Sequence, residues 1–249
     1  MTQKVRILNI DIQNITRKEL LENLSEGIFF TPNVDHLVKL QKDAEFYNVY
    51  QNADWVVCDS KIVAIGLKFL RTSIKEVIQG SSFFTEYYLY HKNNENVKIF
   101  LLGAAKEVAE TAMLKINAKV GRNIVVGAHS PSFGFENDET ECQEIVHMIN
   151  TTNANVLLVG VGAPKQEKWI FKYKDLFTNI KLFMALGATI DFEAGKVKRA
   201  PKIFQKFAIE WLFRMCSDPK RLIKRYLIDD MAFFYYLLKQ KLGLYQNPF

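Results

Sequence analysis

A glycine-rich stretch, GVGAPKQE at 160–167, follows the apolar run NVLLV and precedes a helical pattern. Backbone N–H groups at such a turn bind anions, because a helix N-terminus carries partial positive charge. The stretch lacks the Gly-Lys-Ser/Thr ending of a P-loop and the third glycine of a dinucleotide fingerprint. It therefore predicts a more general diphosphate or sugar site. The alternative is a tight turn with only a structural role, which places acidic residues near the positive end of the helix dipole. The predicted substrate-binding residues of this turn are Gly160, Gly162, Pro164, Gln166 and Glu167.

A single aspartate, Asp59, ends a second apolar run, ADWVVCDS at 53–60. A carboxylate at the wall of an apolar crevice suits a general base, because burial raises its pKa towards the working pH. The alternative is structural, since an aspartate here would also cap the helix predicted for KIVAIGLKFL at 61–70. Sequence alone leaves both interpretations of Asp59 open.

Other catalytic chemistries find little support in the residue pattern. The four histidines form no HExxH spacing, and no Asp-x-Asp pair or GxSxG elbow occurs. The three cysteines, at 58, 142 and 216, are widely spaced and form no CxxC pair, which favours a reduced compartment. We therefore expect no metal and no cofactor.

Short apolar, β-branched runs alternate with helical patterns along the chain. Strands of this kind, apolar throughout, are typical of a parallel sheet covered on both faces. The prediction is an α/β fold with a Rossmann-like, doubly wound, mostly parallel sheet. An N-terminal hairpin is expected within VRILNIDIQNIT, followed by a strand at 27–33 and a helix over 34–49. The four later strand candidates are VKIFLLG (97–103), NIVVGA (123–128), NVLLVGVG (155–162) and KLFMALG (181–187).

Ligands of open α/β sheets bind outside the carboxyl ends of the strands. By this rule the segments that follow the predicted strands converge on one crevice, and Gly103 joins the candidate site. These segments are TPN (31–33), CDS (58–60), LLG (101–103), GVGAPKQE (160–167) and LGA (186–188).

The charge is distributed unevenly along the 249 residues. Residues 196–249 carry 12 Lys or Arg against 4 Asp or Glu and hold 11 aromatic residues, whereas residues 1–195 are nearly neutral. We predict a core domain at 1–195 and a basic, aromatic, helical appendage at 196–249. The last helix of the appendage is predicted to end at Gly243. Such a helix suits an anionic membrane surface, and a subunit interface is the alternative. No signal peptide or 18-residue apolar run is present, so a cytoplasmic protein bound peripherally to the membrane is expected.

Taken together, several motifs resemble the bacterial WecG/TagA/CpsF glycosyltransferases, also called glycosyltransferase family 26. The resemblance runs from about residue 7 to about residue 238, and the combination of PKQE, AG-x-x-x-RAP and EWL-x-R is highly specific to the group. The motifs are TPN (31–33), Asp59, GVGAPKQE (160–167), LGATIDFEAGKVKRAP (186–201), EWLFR (210–214) and DPKRLIKRY (218–226).

The resemblance implies transfer of a sugar, often N-acetylmannosamine or its uronic acid, from UDP to a saccharide on undecaprenyl diphosphate. It implies inversion of the anomeric carbon, no metal, a C-terminal segment that closes over the site and reaches the membrane, and a homo-oligomer. Asp59 falls on the position proposed as catalytic base. The other implied substrate-binding residues are Thr31, Asn33, Gln166, Arg199, Arg214, Arg221 and Arg225.

Two positions depart from the family pattern. Ser60 follows Asp59 where glycine is usual, and Val77 stands in EVIQG where arginine is usual. A missing arginine requires another cation or a different substrate, so the donor sugar is left open. Three rival classes also remain: a nucleotide-dependent oxidoreductase, a nucleic-acid-binding module and a non-enzymatic membrane adaptor. The transferase interpretation expects no nucleic-acid partner.

Overall fold

The computed structural model describes residues 3–197 and 229–249. Within these ranges the chain forms an antiparallel hairpin, a six-stranded sheet and the helices that cover it. The strands are β1 (Lys4–Ile7), β2 (Ile10–Gln13), β3 (Gly27–Phe30), β4 (Trp55–Val56), β5 (Ile99–Gly103), β6 (Val125–His129), β7 (Val156–Gly160) and β8 (Leu182–Ala185). The helices are α1 (Arg17–Asn23), α2 (Val34–Lys39), α3 (Ala44–Gln51), α4 (Lys61–Phe69), α5 (Gly80–Tyr90), α6 (Val108–Val120), α7 (Glu139–Asn150), α8 (Lys165–Tyr173), α9 (Thr189–Ala194) and α10 (Ala232–Lys241).

The six-stranded sheet confirms the predicted α/β, Rossmann-like fold. Its strand order is β4-β3-β8-β7-β5-β6, and every neighbouring pair is parallel. Successive side chains of β5 enter two different apolar clusters, with Phe100 and Leu102 in one and Ile99 and Leu101 in the other. Because both faces are buried beneath helices, the strands are apolar throughout, as the sequence pattern predicted.

The helices differ from the predictions in two ways: one predicted helix is broken, and α1, α5 and α9 were not predicted. The helix predicted over 34–49 is broken into α2 and α3, because the Asp43 carboxylate accepts a hydrogen bond from the Phe46 N–H at 2.9 Å and starts a new helix. Helix α5 was not predicted at all, since its sequence GSSFFTEYYLY is rich in aromatic residues that favour strands.

Strand β4 is shorter than the run at 53–60 suggested. The backbone nevertheless continues alongside β3, because Val57 N–H donates to Phe30 O at 3.1 Å and Asp59 N–H donates to Pro32 O at 3.2 Å. These bonds carry the extended conformation as far as Asp59 and fix its position at the sheet edge.

The C-terminal helix α10 packs against the core. Phe233 and Leu237 are buried, and their side chains contact the face of α4 at Gly66, where an added Cβ would lie 3.1 Å from the Phe233 ring. The helix stops near Gly243, which has a φ of +71°, as predicted. The boundary of the appendage at residue 195 stays a prediction, because most of 196–228 lies outside the described residues. No helix in the described ranges is both long and apolar enough to cross a membrane.

Candidate active site

The predicted segments come together at one edge of the sheet. Because β3, β4, β5, β7 and β8 are parallel, the residues that follow them lie at their common carboxyl edge. Thr31 and Asn33 follow β3, and Asp59 follows β4. Gly103 and Gly160 end two further strands of the same sheet. The structure therefore places Asp59 and the 160–167 turn on the same edge, separated by β3 and β8.

Asp59 faces the N-terminus of α5. Its Oδ1 accepts a hydrogen bond from the Gly80 N–H at 3.3 Å, and Gly80 is the first residue of that helix. The side chain is only half-buried. An N–H group at a helix N-terminus stabilises the ionised carboxylate, which is the form that a general base requires.

The alternative role for Asp59, capping of α4, is wrong. The N-cap of α4 is Ser60, whose Oγ accepts a hydrogen bond from the Val63 N–H at 3.4 Å. Ser60 is also the position where the family usually has glycine. The substitution therefore supplies a cap to α4 and leaves the Asp59 carboxylate for other contacts.

Thr31 and Asn33 follow β3 and flank Pro32, whose carbonyl oxygen accepts the Asp59 N–H. A Cβ built on Gly80 would lie 2.9 Å from the Thr31 hydroxyl, so the α5 N-terminus closely approaches Thr31 as well as Asp59. Thr31 is buried, and the side-chain Oδ1 of Asn33 accepts a hydrogen bond from the His36 N–H at 3.3 Å, which caps α2. Their contacts with substrate remain predictions.

Gly103, Gly160 and Gly187 bring three strand ends into close backbone contact. A Cβ on Gly103 would lie 2.5 Å from Gly160 O, and a Cβ on Gly160 would lie 2.6 Å from Gly187 O. Gly103 also has a φ of +134°, which side chains rarely allow. These glycines have structural reasons to be glycine, whatever they contribute to substrate binding.

The 160–167 turn uses its polar groups internally. Gly162 N–H, which was expected to face the crevice, donates instead to Gln166 Oε1 at 3.1 Å. The same oxygen accepts from Gly187 N–H, also at 3.1 Å, so Gln166 links the turn after β7 to the turn after β8. Pro164 directly precedes α8 and has no N–H. Neither Gly162 nor Pro164 therefore offers a free N–H to an anion.

Glu167 lies deeper than Gln166 in the same turn and is fully buried. Its Oε1 accepts from Gln166 Nε2 at 2.8 Å, and its Oε2 has no hydrogen-bond partner within the described structure. Burial raises the pKa of Glu167 to about 7, and the Gln166 hydrogen bond and the charge of Lys39 only partly oppose this rise. Burial therefore favours the protonated form of this carboxyl group more strongly than in an exposed glutamate.

Three features near the site were missed from the sequence. Tyr50 of α3 is fully buried, and burial together with the charges of Glu167 and Asp59 raises its pKa well above the ordinary value. Lys39 of α2 donates to Ala163 O at 3.2 Å and so contacts the turn. Gly80, the third feature, stands in an aromatic segment whose pattern gave no sign of a helix start.

The remaining predicted residues lie outside the described ranges: Arg199, Arg214, Arg221 and Arg225. Val77, at the position where the family has arginine, stands three residues before Gly80 and hence close to the Asp59 side of the crevice. In the described part of the chain, no group of three or more His, Cys, Asp or Glu side chains is arranged to hold a metal ion.

A parallel α/β sheet with a carboxylate and glycine turns at its carboxyl edge has the architecture of an enzyme that binds its ligand at the strand ends. The model of the glycosyl transferase WecG/TagA/CpsF family matches residues 5–247 of this chain. The chain belongs to that family and is a glycosyltransferase.

Similar proteins from three Staphylococcus aureus strains carry one name, N-acetylglucosaminyldiphosphoundecaprenol N-acetyl-beta-D-mannosaminyltransferase. The protein of strain MRSA252 is 31% identical over 251 aligned positions, which cover 96% of this chain and 94% of the relative. The proteins of strains MW2 and NCTC 8325 are each 30% identical with the same coverage.

Proposed function

We propose that this protein transfers an N-acetylmannosamine-type sugar, or a related hexose, from UDP to a saccharide carried on undecaprenyl diphosphate. The acceptor class is supported by the relatives' names, which specify an N-acetylglucosaminyldiphosphoundecaprenol acceptor and an N-acetylmannosaminyl group. The product would enter the synthesis of a cell-surface polysaccharide or teichoic acid. Val77 leaves room for a different hexose, because the arginine usual in the family is missing there.

One observation carries the proposal: Asp59 faces the α5 N-terminus on the sheet edge that also holds the 160–167 turn. The charges of Asp59 and Glu167 both act on Tyr50, so the two parts of the crevice lie near one buried side chain. A sugar beside Asp59 would leave its nucleotide over the neighbouring strand ends, where nucleotides of α/β enzymes bind.

The proposed reaction is a single in-line displacement at the anomeric carbon of the donor. Asp59 accepts the proton of the acceptor hydroxyl while that oxygen forms the new glycosidic bond, and the bond to UDP breaks on the opposite face. The anomeric configuration is thereby inverted. General-base assistance of this kind accelerates reactions roughly 10²–10⁴-fold.

The charge of departing UDP is assigned to arginines. Arg214, Arg221 and Arg225 have guanidinium groups suited to two-pronged hydrogen bonding with phosphate oxygens, and Arg221 and Arg225 are four residues apart. The proposal includes metal independence, which the resemblance to the family implies and with which the lack of an Asp-x-Asp pair agrees. The 160–164 turn was expected to supply backbone N–H groups, and that of Gly162 is omitted because it donates to Gln166 Oε1.

Release of UDP tests this function. The purified protein is mixed with UDP-N-acetylmannosamine, UDP-N-acetylglucosamine or UDP-glucose, each with and without undecaprenyl-diphosphate-linked N-acetylglucosamine. We expect acceptor-dependent UDP release with the N-acetylmannosamine donor or with a related hexose. Linkage analysis of the product then establishes inversion. Absence of acceptor-dependent release with every UDP-sugar would contradict the proposed function.

We further propose contact with the membrane through α10 and its neighbour α4. Phe234, Tyr235 and Leu238 are about half-exposed on α10, beside Lys239 and Lys241. Aromatic and aliphatic side chains next to lysines suit the interface of an anionic leaflet, where each basic residue contributes about 1 kcal/mol. The competing use of this surface is self-association.

Sedimentation with liposomes separates the two uses of this surface. We expect binding to vesicles that contain anionic lipid, weaker binding to neutral vesicles, and loss of binding in a Phe234→Ser, Leu238→Ser variant. Leu114→Ser, at an exposed position on α6, is the matched control and should bind normally. Unchanged vesicle binding by the double variant, or its conversion from oligomer to monomer without loss of vesicle binding, would contradict membrane contact at this surface.

A further inference from the structure

Gln166 is held in one orientation by its neighbours. Its Oε1 accepts two backbone N–H groups, from Gly162 and Gly187, so a flipped amide would set its NH₂ group against two donors. Its Nε2 must then find an acceptor, and Glu167 Oε1 provides it at 2.8 Å. Both side chains are at most 2% exposed, so water cannot replace these bonds.

The link spans two turns that are far apart in sequence. Gly162 follows β7 and Gly187 follows β8, and both have positive φ angles, +89° and +34°. Neither would meet another atom within 4 Å of an added Cβ, so side-chain crowding does not fix these turns. Hydrogen bonds to the side-chain Oε1 of Gln166 hold both turns instead, and the backbone bond from Gln166 N–H to Gly162 O at 3.1 Å also closes the first.

We propose that Glu167 is a positioning residue, which holds Gln166 so that the Gly162 and Gly187 turns keep the shape that receives the diphosphate of the donor. This inference rests on the proposed use of a UDP-sugar. Glu167 itself, fully buried beneath the turn, does not touch the donor in this arrangement.

The charge of Glu167 connects this role to pH. The groups that act on it electrostatically are Lys39, which lowers its pKa, and Asp35, which raises it; both belong to α2. From α3, Tyr50 packs nearby with a strongly raised pKa and is neutral, and its hydroxyl is 2.8 Å from His36 Nδ1. A diphosphate bound at the turn adds negative charge, so it favours the protonated form of Glu167. Donor binding is therefore accompanied by proton uptake.

The test compares two substitutions at position 167. Glu167→Gln keeps an acceptor for Gln166 Nε2 and loses the titration, whereas Glu167→Leu has a similar size and loses the acceptor. UDP-N-acetylmannosamine is the probe, because both its phosphates are esterified and do not titrate near pH 7. Its dissociation constant is measured by calorimetry between pH 6 and pH 8, together with KM values for donor and acceptor.

For Glu167→Leu we expect a donor dissociation constant and KM raised about tenfold, with acceptor KM changed less than twofold. For Glu167→Gln we expect donor affinity near wild type at pH 6. Between pH 6 and pH 8 the wild-type affinity should fall by about fivefold, and that of Glu167→Gln should stay constant. Circular dichroism and thermal unfolding verify that each variant is folded.

The outcomes separate this inference from the proposed function. If wild-type protein does not bind the UDP-sugar, the proposed function fails. If it binds and a folded Glu167→Leu binds equally well, the positioning role fails. Should Glu167→Leu not fold, the Glu167→Gln measurement decides, since a pH dependence of donor affinity equal to that of wild type overturns the inference.

Discussion

The two sides of the crevice use polar residues in opposite ways. On the β3–β4 side, Asp59 is half-buried, and its carboxylate accepts a hydrogen bond from the α5 N-terminus. On the β7–β8 side, Gln166 and Glu167 are buried and bonded to each other and to the backbone. One side holds a half-buried carboxylate, the proposed base, and the other links two turns through buried hydrogen bonds.

This difference teaches that a polar motif at a strand end need not touch its ligand. PKQE and the Asp59 segment are equally suggestive in sequence, and both follow parallel strands. Burial distinguishes them, because a side chain that is 0–2% exposed acts through its neighbours. Substitutions on the Asp59 side should therefore change turnover, and those on the glutamine side should change binding and stability.

The largest effect is expected from Asp59→Asn. The asparagine amide has the same shape as the carboxylate but cannot take up the proton of the attacking saccharide hydroxyl. We therefore expect kcat to fall by roughly 10²–10⁴-fold while donor affinity changes little. The measurement is steady-state UDP release combined with calorimetric titration of the UDP-sugar. An Asn variant with near wild-type turnover would remove Asp59 from the role of base.

The next effect tests the close glycine contact between the ends of β5 and β7, on the glutamine side of the crevice. Gly103→Ala places a Cβ 2.5 Å from Gly160 O at a φ of +134°, so it should destabilise the fold by roughly 3 kcal/mol or more. Gly121→Ala is the matched control, because it also has a positive φ but meets nothing within 4 Å, and about 1 kcal/mol is expected. Urea unfolding of both variants gives the comparison. Equal losses would show that the close approach of β5 and β7 contributes nothing to stability.

The third prediction concerns the pH dependence of stability due to Glu167. Its pKa is raised from 4.5 to about 7 in the folded protein, so between these pH values the unfolded chain releases this proton first. The contribution of Glu167 to the free energy of unfolding therefore falls as pH rises from about 4.5 to about 7, by about 3 kcal/mol in all, and is constant above that range.

Glu167→Gln removes this contribution. Relative to wild type, the variant should gain about 3 kcal/mol of stability between pH 4.5 and pH 8, which urea unfolding at several pH values measures. Glu95→Gln, at an exposed position, is the control and should show no such gain. A constant difference in the free energy of unfolding between Glu167→Gln and wild type across this range would mean that ionisation of Glu167 does not destabilise the folded protein.

Much of the fold was predictable because buried parallel strands are apolar on both faces. The runs at 97–103 and 155–162 had this property, and both form central strands. The break at Asp43 was not predictable from periodicity, since apolar residues continue on either side of it. Helix α5 escaped because its Phe and Tyr residues favour strands and because Gln79, its N-cap, makes no side-chain capping bond.

The site was predictable in position and less so in detail. Strand ends placed Asp59 and the 160–167 turn at one edge, as the sheet confirms. The direction of the Gly162 N–H was not predictable, because it depends on Gln166 also bonding to Gly187, which belongs to a different strand end. Long-range hydrogen bonds of this kind leave no mark in a local sequence pattern.

The smallest effect is expected at Ser60, beside the residue with the largest. Ser60 caps α4 through a hydrogen bond of 3.4 Å, so Ser60→Ala should destabilise the protein by about 1 kcal/mol. Ser60→Gly, which introduces the residue usual in the family, should cost only a few tenths of a kcal/mol, because glycine is tolerated at an N-cap. Neither variant should change kcat by more than about twofold, since the Asp59 carboxylate is held separately by Gly80 N–H. Thermal unfolding and UDP release measure the two quantities. A tenfold loss of kcat in Ser60→Ala without loss of stability would place Ser60, together with Asp59, among the residues that act on substrate.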